Sequence, residues 1–274
     1  MSRKDNKTVQ VSPRSITPNV TMPVLFVGHG NPMNAVDNNV YSRGWEKLGR
    51  EITLPRAILC ISAHWETDGT RVSPQGIPRT IHDFYGFPRK LYDVRYPCPG
   101  NPALAEEVIR LCGGEVKPDE TWGIDHGTWS VLCRMYPGAD IPVVQLSLDY
   151  RKSARDHFEI ARALTSLRNQ DVLIIGSGNL VHNLRLMRYS PNVAPYDWAV
   201  SFDETVTRLI GERRYDDLID YHELGREADL SIPTNEHYLP LLYVLAAARR
   251  DDRITFPITG IDLGSVSMRT VQIG

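Results

Sequence analysis

Histidines follow three of the apolar segments of this chain, and a histidine can bind a metal or move a proton. His29 comes after residues 24–27, His64 after residues 57–61 and His182 after residues 172–175. Apolar runs of this length are typical of buried strands of a parallel sheet, whose carboxyl ends share one edge. Ligands of open α/β folds bind at that edge. The sequence therefore predicts a cluster of imidazoles there, and such a cluster indicates a metal site.

A fourth histidine, His237, is placed to reach the same cleft. It opens a segment, residues 236–249, that is predicted to be helical, and Thr234 or Asn235 would cap that helix. The positive end of the helix dipole disfavours an imidazolium, so the ring would stay neutral and able to bind a metal. The alternative is a surface histidine in the first helical turn.

The segment around His182 matches a dinucleotide-binding loop only in part. Residues 176–183 read GSGNLVHN, which lacks the third glycine of the GxGxxG fingerprint. We therefore do not expect nucleotide binding here. The glycines instead predict a tight turn between a strand and a helix, which presents His182 to the cleft as a further metal ligand or as a general base.

Two histidines of predicted loops each have an aspartate as a neighbour. His126 follows Asp125, and His82 precedes Asp83. Both pairs are candidates for contact with a substrate. The alternative for each is a loop histidine that is held by a backbone carbonyl.

The elements that would hold these groups alternate between strand and helix. Strands are predicted near residues 24–27, 57–62, 141–148, 172–176, 253–257 and 265–272, and helices near residues 40–50, 102–111, 128–136, 153–168, 195–213 and 236–249. This order predicts a single α/β domain over residues 22–274, with a central, largely parallel or mixed sheet flanked by helices and the metal site at the carboxyl ends of the strands. Residues 1–21 are predicted to be a flexible N-terminal tail.

A long irregular stretch follows the second predicted strand. Residues 66–100 are rich in proline, and a loop of this length in a compact domain is typically a lid or a binding segment. We expect it to cover the site. Tyr85, Arg89 and Trp65 are candidates for contact with a substrate, although each could equally serve packing.

Composition excludes several classes of function. The 274 residues carry a formal net charge of -2 with Lys and Arg scattered along the chain, so we expect neither nucleic acid nor an acidic membrane as a partner. The four cysteines form no CxxC pair, which argues against a disulfide framework and favours a reduced, cytoplasmic setting. No apolar stretch approaches the roughly 20 residues that span a bilayer. We expect a small-molecule partner and a monomer or small homo-oligomer.

Six segments of the chain, taken together, resemble one family. They are GHGNPMNA at 28–35, SAHW at 62–65, TIHDFYGFP at 80–88, WGIDHGTW at 122–129, GSGNLVHNL at 176–184 and PTNEHYLPLLYV at 233–244. Their order and spacing resemble those of the class III extradiol ring-cleaving dioxygenases, the LigB-type superfamily, in the branch of the bacterial and plant 4,5-DOPA dioxygenases. The resemblance implies a single α/β domain, a mononuclear non-haem metal, and cleavage of a catechol by O₂ next to its hydroxyl groups.

The resemblance also implies roles for individual residues. His29 and His64 match the two metal-binding histidines of the family, and His237 falls where this branch has a further one. His182 matches a histidine that is either a ligand in zinc-containing members or the acid/base group. His126 matches a histidine that faces the substrate pocket.

The implied ligand set leaves the identity of the metal open. Typical members of the wider class bind Fe(II) through two histidines and a glutamate, whereas His237 makes this set richer in nitrogen. Fe(II) is expected for activity, and an all-imidazole site would also hold Zn²⁺ well. Glu236 would supply a carboxylate if the helix were rotated by one position.

Our hypothesis is that a metal on His29, His64 and His237 binds a small aromatic diol, DOPA or a related catechol, together with O₂, and that the ring opens to a semialdehyde. His182 would move the protons, and His126 would steer the substrate or the bound oxygen. One alternative is a zinc hydrolase in which the same histidines activate water, although the sequence has no HExxH motif. The other alternative is a non-catalytic binding protein of this fold.

Overall fold

A central sheet carries the strands that the apolar runs predict. The computed structural model describes residues 21–189 and 193–274. Within these residues the strands are β1 (Val24–Gly28), β2 (Ala57–Thr67), β3 (Arg71–Val72), β4 (Lys117–Pro118), β5 (Val143–Asp149), β6 (Val172–Gly178), β7 (Ile254–Ile258), β8 (Ile261–Asp262), β9 (Val266–Ser267) and β10 (Thr270–Ile273). Eight of these described strands form one sheet in the order β4-β3-β5-β2-β6-β1-β10-β7, and β8 pairs with β9 separately.

The middle of the sheet is parallel and buried on both faces. β1 and β2 run parallel to β6, and β2 runs parallel to β5. Along β1, Val24 and Phe26 join one apolar core while Leu25 and Val27 join the other, because successive side chains of a strand point to opposite faces. β10 is antiparallel to β1, so the sheet is mixed. The predicted α/β class is confirmed, and the parallel strands end at one common edge.

Helices cover both faces of this sheet. Within the described residues they are α1 (Val40–Glu51), α2 (Arg89–Tyr92), α3 (Pro102–Leu111), α4 (His126–Met135), α5 (Ala154–Arg162), α6 (Asp197–Gly211), α7 (Tyr215–Ile219), α8 (Arg226–Ser231) and α9 (Leu239–Ala246). Trp45 of α1 and Trp129 of α4 pack in the core on one face, and Phe202 of α6 and Leu242 of α9 pack in the core on the other. None of the helices in residues 21–189 and 193–274 has the length and apolar character needed to cross a bilayer.

The helix that follows His237 starts later than predicted. It begins at Leu239, and Pro240 occupies its first turn. In a helix that began at residue 236, Pro240 would be the fifth residue, where its ring would clash with the carbonyl group of residue 236. His237 therefore lies in the turn before α9, and the predicted position in the first helical turn is wrong.

Two other helix boundaries also differ from the prediction. α4 begins at His126 instead of residue 128, because the side chain of Asp125 accepts a hydrogen bond from the backbone N–H of Thr128 and caps the helix earlier. The helix predicted over residues 153–168 is α-helical only to Arg162 and continues as a 3₁₀ helix to Gln170. The predicted N-terminal tail lies outside the described residues except for its last residue, number 21.

Candidate metal and catalytic site

The strand ends border a cavity of about 520 Å³. It is lined by five of the six histidines that the sequence analysis selected: His29, His64, His126, His182 and His237. Strand register explains how the first two meet, since the residues two positions before them, Val27 and Ser62, pair with the same residue of β6, Ser177. As a result, the Nε2 atoms of His29 and His64 lie 3.0 Å apart.

β6 also fixes the turn that carries His237. The backbone N–H of Asn179 donates a hydrogen bond to the carbonyl oxygen of His237 over 2.8 Å. Gly178 permits this approach, because a Cβ atom there would overlap the same carbonyl oxygen. The glycines at 176 and 178 lie within the strand and allow close packing against the segment 237–240. The prediction that they form a strand-to-helix turn is wrong.

Three of the histidines have an acceptor next to Nδ1. This atom lies 3.0 Å from Ser177 Oγ in His29, 3.5 Å from Asp83 Oδ2 in His64 and 2.9 Å from Glu236 Oε1 in His237. An acceptor there favours the tautomer that carries its proton on Nδ1 and its lone pair on Nε2. The potential ligand atoms of these three histidines lie within 4.8 Å of one another.

This arrangement fits a bound metal ion. Nε2 of His237 is buried and has no hydrogen-bond partner among the described residues. The Nε2 atoms of His29 and His64 face each other at 3.0 Å, where two lone pairs repel unless a proton or a cation lies with them. Burial, helped by the neighbouring imidazoles, lowers the pKa of all three rings well below its ordinary value. The rings are therefore neutral, which is the form that binds a metal.

Asp83 orients the histidine at the start of α4. Its carboxylate accepts a hydrogen bond from the backbone N–H of His126 over 2.9 Å and lies 2.8 Å from the Nδ1 atom of the same residue. Burial acts to raise the pKa of Asp83, but its hydrogen bonds with His126 and the nearby His64 outweigh burial and hold the pKa below its usual value. Asp83 is thus an ionised partner that keeps the proton of His126 on Nδ1.

Comparison with known proteins identifies the family. Residues 16–259 match the LigB family, the catalytic LigB subunit of aromatic ring-opening dioxygenase. The chain belongs to this family. It is therefore an extradiol ring-opening dioxygenase, as the sequence motifs indicated.

Several relatives support the branch within this family. The dioxygenase is 50% identical over 260 residues to a protein of Escherichia coli K12 named 4,5-DOPA dioxygenase extradiol, and the match covers 92% of this chain and 95% of that protein. A protein of Beta vulgaris with the same name is 38% identical, with coverage of 84% and 88%. The crystal structure of an uncharacterized protein from Escherichia coli K12 superposes with a TM-score of 0.81 at 45% identity, covering 92% of this chain and 100% of that one. The predicted branch and fold are confirmed.

Two sequence candidates of the dioxygenase lie away from the cavity lining. His82 places Nε2 3.1 Å from the carbonyl oxygen of Val94, so the alternative of a loop histidine held by the backbone describes it. Asp125 is buried and accepts hydrogen bonds from Ser62 Oγ and Gln145 Nε2, each over 2.7 Å. The carboxylate of the cavity that contacts His126 is therefore Asp83, and not its sequence neighbour.

His182 differs from the other histidines of the dioxygenase site. Its ring stacks on His237 with a centroid distance of 3.4 Å and an interplanar angle of 12°. Burial and the nearby His126 lower the pKa of His182 to about 4. With Glu236 and His237 it forms another group of potential ligand atoms, which shares His237 with the group of His29 and His64.

Aromatic side chains surround the rest of the cavity. Phe84 and Phe87 line it, and Tyr85 lines it with 92% of its surface exposed. Of the other two candidates for contact with substrate, Trp65 is buried and stacks on a neighbouring tryptophan, and Arg89 lies outside the lining. Trp65 therefore serves packing, and Arg89 does not contribute to the cavity wall.

Sequence analysis missed the partners of the site histidines. Ser177 was seen only as part of a glycine-rich segment, and Asp83 was assigned to the wrong histidine. Glu236 was considered as a metal ligand, whereas its carboxylate lies against Nδ1 of His237. The signal for Ser177 and Glu236 was present, because each is a polar residue at the end of an apolar strand or beside a site histidine.

Proposed function

We propose that this dioxygenase opens the ring of a catechol beside its two hydroxyl groups, consumes O₂ and releases a semialdehyde. The observation that supports the proposal best is the trio of neutral imidazoles, two buried and one half-buried, in the lining of one cavity. We assign His29, His64 and His237 as the metal ligands. Three ligands leave coordination positions free for a chelating substrate.

Fe(II) is the metal that we propose for turnover. When bound, it would supply positions for the two catechol oxygens and for O₂, and electron density for O₂. Zn²⁺ has no redox chemistry, so zinc in the same imidazole site would not support the reaction. Protein that is purified with zinc would therefore need metal exchange before an assay.

His126 is proposed to orient the substrate. Because Asp83 lies against its Nδ1 atom at 2.8 Å, the proton is kept there and Nε2 remains an acceptor. A catechol hydroxyl in the cavity can donate to that nitrogen. The carboxylate also lies 3.5 Å from Nδ1 of His64, so one residue positions both a proposed ligand and the substrate-binding histidine.

His182 is proposed as the acid/base group and not as a metal ligand. The other four histidines of the cavity each have an acceptor next to Nδ1, whereas the described residues provide none for His182. A neutral imidazole that is free of such a partner can accept a proton from a catechol hydroxyl and later return one to the opened product. Its stacking on His237 places it beside the proposed metal position.

Iron-reconstituted protein tests the proposal, with DOPA as the first substrate because of the name that the relatives carry. O₂ uptake and a yellow semialdehyde are expected. His29→Ala should lose both metal and activity, and His182→Ala should keep its metal but lose turnover by about 100-fold or more. Equal loss of metal in His182→Ala would make His182 a ligand. Conversion of substrate without O₂ uptake would indicate a hydrolase and reject the proposal.

A further inference from the structure

The described lining of the cavity carries no permanently charged cation that would pair with a carboxylate on the substrate. Among residues 21–189 and 193–274, no Lys or Arg belongs to its lining. We propose that the enzyme recognises the catechol ring and the apolar part of its substituent, and that the carboxylate of an amino-acid substrate contributes nothing to binding. The inference rests on the proposed function, since it names the class of catechol that the same site prefers.

Outside the histidines, the two carboxylates and the polar side chains of Asn31, Tyr85 and Tyr189, the lining is apolar. Away from the histidines, the lining includes Phe84, Phe87, Leu184, Met187, Leu263 and Val266. Transfer of apolar substituent surface from water to such a lining favours binding about fourfold per methylene group. A carboxylate gains nothing from these contacts, because its hydration must be replaced by hydrogen bonds or by a cation.

The charged side chains of the lining are themselves acidic. Asp83 and Glu236 are the two carboxylates, and both lie against histidines of the site. A metal dication would be matched in charge by these two groups before any substrate enters. A third carboxylate, brought by the substituent, would find like charges and no counter-cation in the described lining.

Several Lys and Arg residues that are close in sequence to the lining residues contact other groups. Lys90 lies 2.7 Å from Asp37, Arg95 donates to the carbonyl oxygens of Tyr92 and Val94, and the guanidinium of Arg188 lies 3.7 Å from the ring centroid of Tyr196. Arg89 lies 3.8 Å from Asp93. In the structure these cations therefore contact other groups, and none of them belongs to the cavity lining.

Arg185 is a cation that could reach a substrate carboxylate if its side chain turned toward the cavity. It is exposed and follows Leu184, which does line the cavity, but Arg185 itself lies outside the lining. If the inference is wrong, this residue or Arg188 must turn inward to pair with the substrate carboxylate. Substitution of either residue would then weaken the binding of carboxylated catechols selectively.

Binding to zinc-loaded protein separates recognition from turnover. Dissociation constants would be measured by calorimetry for catechol, 4-ethylcatechol, dopamine and DOPA, and kcat/KM would be measured for the same compounds on iron-loaded protein. Dopamine and DOPA differ only in the carboxylate, so dopamine should bind at least as tightly as DOPA. 4-Ethylcatechol should bind about 15-fold more tightly than catechol, because it adds two buried carbon atoms.

Variants sharpen the test. Arg185→Gln and Arg188→Gln should leave the Kd of DOPA within twofold. Leu184→Arg should bind DOPA up to about fivefold more tightly than the control Leu184→Gln, with no gain for 4-ethylcatechol, since an exposed ion pair contributes modestly. DOPA binding fivefold more tightly than dopamine, or a selective loss of DOPA binding in Arg185→Gln or Arg188→Gln, would overturn the inference. Failure of every catechol to bind or react would instead reject the proposed function.

Discussion

Each proposed ligand is held through its Nδ1 atom, and His29 has the only neutral partner of the three. The hydroxyl group of Ser177 has a single proton, and it donates this proton to the carbonyl oxygen of Gly127 over 2.5 Å. Toward Nδ1 of His29, at 3.0 Å, the same oxygen can therefore only accept. Ser177 thus fixes the tautomer of His29 and links this ligand to the first turn of α4.

Ser177→Ala should weaken metal binding by about 10- to 100-fold, because loss of a partner that orients a ligand has effects of this size. The substitution leaves the Nδ1–H group of His29 unpaired in a buried setting. Metal affinity would be measured by competition with a chelator, apart from any activity.

Ser130→Ala is the matched control. The Ser130 hydroxyl is also buried but has no hydrogen-bond partner among the described residues, so its removal should leave the metal affinity unchanged. Ser177→Thr, which restores a hydroxyl group, should recover part of the loss. An unchanged affinity in Ser177→Ala would show that the serine does not orient His29.

The local sequence pattern predicts those site residues that directly follow a single strand. His29 and His64 follow directly from the apolar runs of β1 and β2, because strand direction and burial are properties of short segments. The contact of Asp83 with His126 joins a loop to the start of α4 over 43 residues of sequence, so no local periodicity encodes it. The position of His237 differs from the prediction because Pro240 must lie in the first turn of α9. The helix therefore starts at Leu239 and not after the possible capping residues Thr234 and Asn235.

Gly178→Ala tests how β6 positions the turn before α9. The added Cβ would overlap the carbonyl oxygen of His237, so the strand and the turn must separate. We expect a loss of about 1–3 kcal/mol in the free energy of unfolding, as for other overpacked sites, together with weaker metal binding. Urea denaturation of the metal-free protein and chelator competition would measure the two effects.

Gly211→Ala provides the comparison for this prediction. Gly211 ends α6, and a Cβ atom there would meet no atom within 4 Å. Its substitution should be neutral or stabilise by up to about 1 kcal/mol, since alanine restricts the unfolded chain. If Gly178→Ala proved as stable as Gly211→Ala, the close approach of the turn to β6 would not be required.

The layer of helices on one face of the sheet is joined to it through a buried histidine away from the metal site. The ring of His157, in α5, lies 2.9 Å from the hydroxyl oxygen of Tyr243 in α9 and 3.2 Å from the carbonyl oxygen of Asp149 at the end of β5. Burial lowers the pKa of His157 from 6.5 to about 4. A neutral imidazole therefore lies where α5, α9 and β5 meet and joins them by hydrogen bonds.

The stability of the metal-free protein should fall in acid partly because of this residue. Between pH 6.5 and about 4 the unfolded chain binds a proton at His157 that the folded protein does not, so the free energy of unfolding decreases as the pH falls through this range. The contribution amounts to up to about 3 kcal/mol.

His157→Gln should be less stable than the parent at pH 7, because hydrogen bonds at the ring are changed, yet lose less stability between pH 7 and pH 4. Urea denaturation of both proteins with a chelator present would measure the difference, in which the shared titration of the site histidines cancels. Parallel pH profiles of the two proteins would contradict a neutral His157 in the fold.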